Sequence, residues 1–328
     1  MLHKTADVLL SRNPDPIPKY LILRDVLQLD HGNSEMRSAK KALIQCRWIK
    51  LLGDSQWEDG TWGRFHTQDT KAKQPIPTTE TAIQIALDSG LDGDSPILKK
   101  TMRFIVRHID GKTSWRDWPE KHDNPAAWDV GIPYLSAANL ALIDNDNPKI
   151  VPFRNTWEKI ATAAFASGAY DREAEIKTSN LLMNCERKKP MAFHVRYPLI
   201  LLSATDKKLD DELQRCILDY AVSSPVGIYY MYAKPLSDVP PVRSKGICGW
   251  LRTQLMLSRF PRWHEFAGSW AEDLWAQRDS DGLWEFDPGI SRKPYSPFPL
   301  SESWRKSGNR KIDCSILVLQ LLSRYCRS

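Results

Sequence analysis

Gln56-Trp57-Glu58-Asp59-Gly60-Thr61-Trp62 decides the reading of this chain, because Gln277-Arg278-Asp279-Ser280-Asp281-Gly282-Leu283-Trp284 restates it near the other end. In both stretches the Gln closes a helical pattern, Asp-Gly makes a turn, and the Trp offers a large apolar plate to the next element. A turn phrase that recurs with helices on either side marks a repeat architecture. Asp110-Gly111-Lys112-Thr113-Ser114-Trp115 reads as a third, degraded copy.

Between these turns the apolar spacing is helical, and strand-like alternation is scarce. Helices are expected at about 18–27, 34–52, 79–89, 95–108, 126–143, 155–168, 192–204, 209–223, 248–258, 263–277 and 312–325. Those near 79–89 and 312–325 are apolar on several sides, whereas 95–108 sets Ile97, Leu98, Met102 and Ile105 against a basic face of Lys99, Lys100, Arg103 and Arg107. Alternation of all-round apolar and one-faced helices predicts an inner and an outer helical ring. Two Pro- and aromatic-containing interruptions, 227–245 and 287–309, are expected as ordered covers over one mouth of that ring.

The chain has 328 residues, 42% apolar and 26% charged, with thirteen Trp and a net charge of +6. Its basic residues are scattered, which argues against a nucleic-acid binder. Six cysteines, none spaced as CxxC, read as small apolar core residues rather than a zinc site. No run is long enough to span a bilayer, and charges lie too close to Val8-Leu9-Leu10 for a signal peptide, so a cytoplasmic location is expected. Peripheral membrane contact and the oligomeric state stay open.

The two Gln/Asp-Gly/Trp turns resemble the QW motif of squalene and oxidosqualene cyclases, in a superfamily that also holds the protein prenyltransferase β-subunit. The resemblance implies an all-α fold: a single α/α toroid of five to six helical hairpins over 34–328, with a helical prefix over 1–33. It implies a largely apolar, terpenoid-like small-molecule ligand in a central cavity, with acid-initiated cyclisation or isomerisation as the chemistry. The alternative is a ligand- or protein-binding ring that has lost the chemistry.

The acid signature implied by the resemblance is broken. Pro77-Thr78-Thr79-Glu80-Thr81-Ala82 keeps the Thr-Ala ending of the cyclase motif but only one carboxylate, Glu80. Asp313-Cys314-Ser315 resembles the shorter Asp-Cys-Thr form, making Asp313 the candidate proton donor, with Glu80 or Asp129 assisting. Each also suits a plain helix-start acid. Trp128, His194, Arg196, Tyr197 and Trp250 are candidate ligand-binding residues, because aromatic faces and cations at inner-helix starts suit cationic or anionic ligand parts. The zinc pattern of the prenyltransferases is missing: no His follows His264. No metal and no cofactor is expected.

Overall fold

A computed structural model describes residues 1–67, 73–117, 125–186, 192–204, 209–290, 299–306 and 308–326. It is all-α. The helices are α1 (Leu2–Ser11), α2 (Pro16–Leu21), a π-helical turn (Ile22–Val26), α3 (Ser34–Gln45), α4 (Arg47–Ser55), α5 (Thr79–Asp88), α6 (Pro96–Ile109) and α7 (Pro125–Ile143). There follow α8 (Val151–Ala164), α9 (Arg172–Met183), α10 (Arg196–Ser203), α11 (Asp211–Ser223), α12 (Ile247–Leu257), α13 (Gly268–Ala276) and α14 (Asn309–Tyr325). Short 3₁₀ turns precede α8 and α13.

Burial follows the sequence pattern. Every residue of α10 from Tyr197 to Ser203 is buried, as is nearly all of α14 from Ile312 to Ser323. In contrast, α6 buries only Leu98, Thr101 and Ile105, and its lysines and arginines lie on the opposite side. The deeply buried helices touch in series: α5 on α7, α7 on α10, α10 on α12, and α12 on α14. α14 then packs on α1, α2 and the π-helical turn. From that turn Arg24 reaches back to the Gly90 carbonyl just beyond α5, at 2.9 Å. The first and last helices thus meet, and residues expected as a separate prefix, such as Leu9, Tyr20 and Leu23, belong to the common core.

The two complete turn phrases share the same turn and tryptophan bonds. Trp57 N–H donates to Thr61 O and Gly60 N–H to Trp57 O; 222 residues later Asp279 N–H donates to Leu283 O and Gly282 N–H to Asp279 O. Gly60 (φ +92°) and Gly282 (φ +75°) occupy the left-handed region the turn requires. Each indole N–H caps the preceding helix, Trp62 on Leu52 O at 3.1 Å and Trp284 on Leu274 O at 2.7 Å. Each Trp backbone N–H donates to a hydroxyl of the helix that follows, Thr79 Oγ1 of α5 or Ser315 Oγ of α14, both at 3.0 Å. The glutamines differ: Gln56 donates to Ile97 O and Thr101 Oγ1, whereas Gln277 accepts from Val242 N–H. Trp115 does not repeat the clamp. Its indole bonds Ser136 Oγ and its ring stacks on Phe65 at 4.5 Å.

Because those hydroxyls accept from buried backbone N–H groups, Thr79→Val and Ser315→Ala are each expected to cost about 1–2 kcal/mol, the price of an orphaned donor. Urea denaturation checks this. Equal midpoints for both variants and the parent would show that the hydroxyls hold nothing.

Three helix boundaries depart from expectation for identifiable reasons. The helix expected over 34–52 breaks at Cys46, whose backbone is extended; α4 starts afresh there, and its Trp48 indole bonds Ser301 O. Pro198 is tolerated because α10 begins only at Arg196, placing it in the first turn, where a backbone N–H has no helical partner. The stretch 263–277 divides into a 3₁₀ turn (Pro261–Phe266) and α13. α1 was expected only as part of a helical prefix over 1–33, without bounds of its own, and α9 was not expected.

Candidate functional site

The inward stripes of alternate helices converge on a cavity of about 390 Å³. α5 contributes Glu80, Thr81, Gln84, Leu87 and Asp88, α10 contributes Arg196 and Ile200, and α14 contributes Leu317, Gln320 and Arg324. On α12 and its end, Arg252, Leu255, Met256 and Arg259 follow the i, i+3, i+4, i+7 spacing of a single helix face. The π-helical turn adds Arg24 and Asp25. Of the two long interruptions, 227–245 reaches the cavity through Tyr230 and Met231. Within 287–309, residues 291–298 and 307 lie outside the described residues.

Tyr230 sits at φ +68°, a conformation strained for an aromatic residue. The loop around it is tight: a Cβ on Gly227 (φ +61°) would lie 2.1 Å from Tyr232 O. The strained position brings the Tyr230 ring to 5.3 Å from His66, with Tyr197 and Trp128 on other sides of the same imidazole at 6.3 and 6.4 Å.

At one wall stands Glu80, buried and saturated with donors. Its Oε1 accepts from Arg196 Nη2 (2.5 Å), Tyr197 OH (2.8 Å) and Asn139 Nδ2 (3.2 Å), and its Oε2 is 2.8 Å from His66 Nδ1. Since the tyrosine proton goes to Glu80, the 3.2 Å contact from His66 Nδ1 to Tyr197 OH places a hydrogen on Nδ1. Burial alone would raise the Glu80 pKa, but Arg196, His66 and Tyr197 reverse that and hold it well below the carboxylate range. Burial works to lower the His66 pKa, yet the bond and charge of Glu80 carry it above the ordinary value. His66 is itself fixed by Asp117, whose carboxylate accepts the backbone N–H groups of Phe65, His66 and Thr67 at 2.5–2.8 Å.

Two further acids line the cavity, each engaged by an arginine. Asp88 pairs with Arg252 and accepts from Gln84 at 2.7 Å. Asp25 pairs with Arg24 at 2.6 Å and accepts from Gln320 at 2.6 Å. Arg259 is different: its Nη2 donates to the neutral oxygens of Ala141 (3.0 Å) and Asn145 (2.8 Å). Burial and the neighbouring Arg324 push its pKa down to about 10.

The residues singled out from sequence separate here. Glu80, Arg196 and Tyr197 form the network just described. Trp128 is half-buried at its edge, and Asp129 is exposed. The His194 carbonyl accepts from Tyr229 N–H at 2.6 Å, while burial, assisted by Arg172, lowers the pKa of its imidazole. Trp250 is fully buried in the core, donating to Leu236 O and meeting Trp270 edge-on at 5.4 Å. Asp313 accepts from Ser301 N–H, Ser301 Oγ and the Trp304 indole, tying the 299–304 segment to α14. It is absent from the cavity lining. His66, Asn139, Asp88, Arg252 and Arg259 were not singled out; only the α12 spacing carried a signal for the last two.

Comparison of the chain with protein-family models, curated proteins and solved structures gave no match. No helix among the described residues is long and apolar enough to cross a membrane, and no group of three or more His, Cys, Asp or Glu among them could hold a metal ion.

Proposed function

We propose that this chain is a small-molecule-binding α/α toroid, similar in architecture to the triterpene cyclases, that takes its ligand into the central cavity. The observation that carries the reading is the cavity itself: about 390 Å³, within the usual range for ligand sites, and walled by alternate helices from both ends of the chain. The wall combines apolar groups such as Leu142, Ile200, Leu255 and Leu317 with a small set of fixed charges. That combination suits a ligand with an apolar body and a polar end.

Binding is favoured over acid-initiated chemistry by the state of the acids. A proton donor must be neutral at the reacting atom. Each carboxylate in the lining is engaged by an arginine, and Glu80 is held as an anion by four donors. Asp313, whose pKa is raised, is occupied with Ser301 and Trp304 instead.

Native mass spectrometry of the protein purified from its own host tests the reading. The parent is expected to retain a small molecule, and Leu255→Trp, which fills the cavity from α12, is expected to lose it while keeping its helical circular dichroism. A parent that retains nothing, or a filled variant that retains the same mass, would overturn the proposal.

A further inference from the structure

The charges around the cavity do not balance. Among the described residues, and Arg324 aside, four arginines of the lining (24, 196, 252 and 259) face three carboxylates (25, 80 and 88), one positive charge in excess. Three of these arginines are deeply placed and incompletely satisfied. The Nε atoms of Arg196, Arg252 and Arg259 are buried without a hydrogen-bond partner. Arg196 and Arg252 each give one Nη to a carboxylate, and Arg259 gives its Nη2 only to neutral oxygens.

Their mutual placement is unfavourable as it stands. Arg252 is close enough to Arg196 to feel its charge, and Arg259 is close enough to feel Arg324. Glu80 and Asp88 offset the desolvation of Arg196 and Arg252, whereas Arg259 meets only neutral oxygens and bears that cost uncompensated. A fold that brings such groups together around an open cavity, rather than dispersing them to the surface, is arranged to receive a negative group. Guanidinium forks match the paired oxygens of carboxylate and phosphate.

We propose that Arg196, Arg252 and Arg259 form an oxyanion-binding wall, and that the ligand of the cavity carries a carboxylate or phosphate group there, with its apolar part against Leu142, Leu255 and Leu317. This rests on the reading of the cavity as a ligand site and narrows the class of ligand. The acidic partners of Arg196 and Arg252 hold those two side chains in place. Arg259, which meets no carboxylate among the described residues, supplies the unmatched charge.

Isothermal titration calorimetry of the full chain with inorganic phosphate and, separately, with succinate tests the wall and distinguishes the two sources of the oxyanion. At least one of the two is expected to bind, more weakly as sodium chloride is raised, and Arg259→Gln is expected to weaken that binding at least tenfold. Arg259→Lys, which keeps the charge but loses the fork, should fall between them. Circular dichroism establishes that each variant is folded. If the Gln variant does not fold, the comparison of Lys variant with parent decides the case. Binding of neither anion, or binding unchanged by these substitutions, would overturn the inference. Retention of an uncharged molecule by the parent, lost in Leu255→Trp but kept in Arg259→Gln, would overturn the oxyanion wall while leaving the cavity a ligand site.

Discussion

Glu80→Gln is expected to lower the stability of this protein by about 3–5 kcal/mol, because it leaves the Arg196 guanidinium buried without its counter-charge. In a chain this large that corresponds to a fall in Tm of roughly 4–7 °C. The substitution is nearly isosteric, so little of the loss can come from packing. Arg196→Met should cost a similar amount, since Glu80 is then stranded. The double variant should be less destabilised than the sum of the two, because an apolar side chain and a neutral amide need no counter-charge. A loss below about 1 kcal/mol in Glu80→Gln would mean that the pair is solvated in solution.

His66 reports the same network independently. With its pKa raised by Glu80, its favourable contribution is present in full below the ordinary imidazole value and is lost as pH rises through the folded value. In Glu80→Gln the main raising influence is gone; burial, the largest influence, and the Arg196 charge both lower the value, against only the smaller upward pull of Asp117. The His66 resonance should then titrate below the ordinary value. An NMR titration of parent and variant measures the reversal.

How much of this was legible in the sequence depends on what kind of signal each feature leaves. The clamps were legible because Asp-Gly is a turn preference and Trp is rare, so two copies of the phrase stand out. Their equivalence runs through backbone bonds, which explains why Trp115, two residues further from its glycine than a true copy would allow, departs from the pattern. The deeply buried helices were legible from all-round apolarity. What that pattern hid was charge on the faces that line the cavity. Arg252 and Arg259 lie on the α12 stripe with Leu255 and Met256, where the usual expectation is an apolar residue facing the core. His66 left no trace, since its position depends on Asp117, some fifty residues away, accepting three consecutive backbone N–H groups. Asp313 was visible as an acid at a helix start, but its partners Ser301 and Trp304 lie in a segment with no periodic signal.

Asp313→Asn carries the other large expected effect, and its size should depend on pH. The carboxylate accepts from three donors, and an amide in its place presents an NH₂ group to one of them, the Trp304 indole or Ser301 N–H. At pH 7.5 the orphaned donor is expected to cost about 1–3 kcal/mol. Burial raises the Asp313 pKa to about 6, the Ser301 and Trp304 donors pulling back only part of that shift. A folded value above the unfolded one means the folded state binds the proton more tightly. The resulting stabilisation is complete below the ordinary Asp value and is lost as pH rises through about 6. At pH 4.5 the parent therefore holds about 2 kcal/mol that it lacks at pH 7.5, and the Asn variant, which does not titrate, holds none of it. The destabilisation caused by Asp313→Asn should thus grow by about that amount on acidification, to about 3–5 kcal/mol in all. Urea midpoints at the two pH values, with proteolytic cleavage within 299–306 as a local readout, measure it. A penalty equal at the two pH values would mean that the carboxyl titrates as an ordinary exposed acid, and one that shrinks on acidification would mean that its folded pKa lies below the unfolded value; either would overturn the expectation.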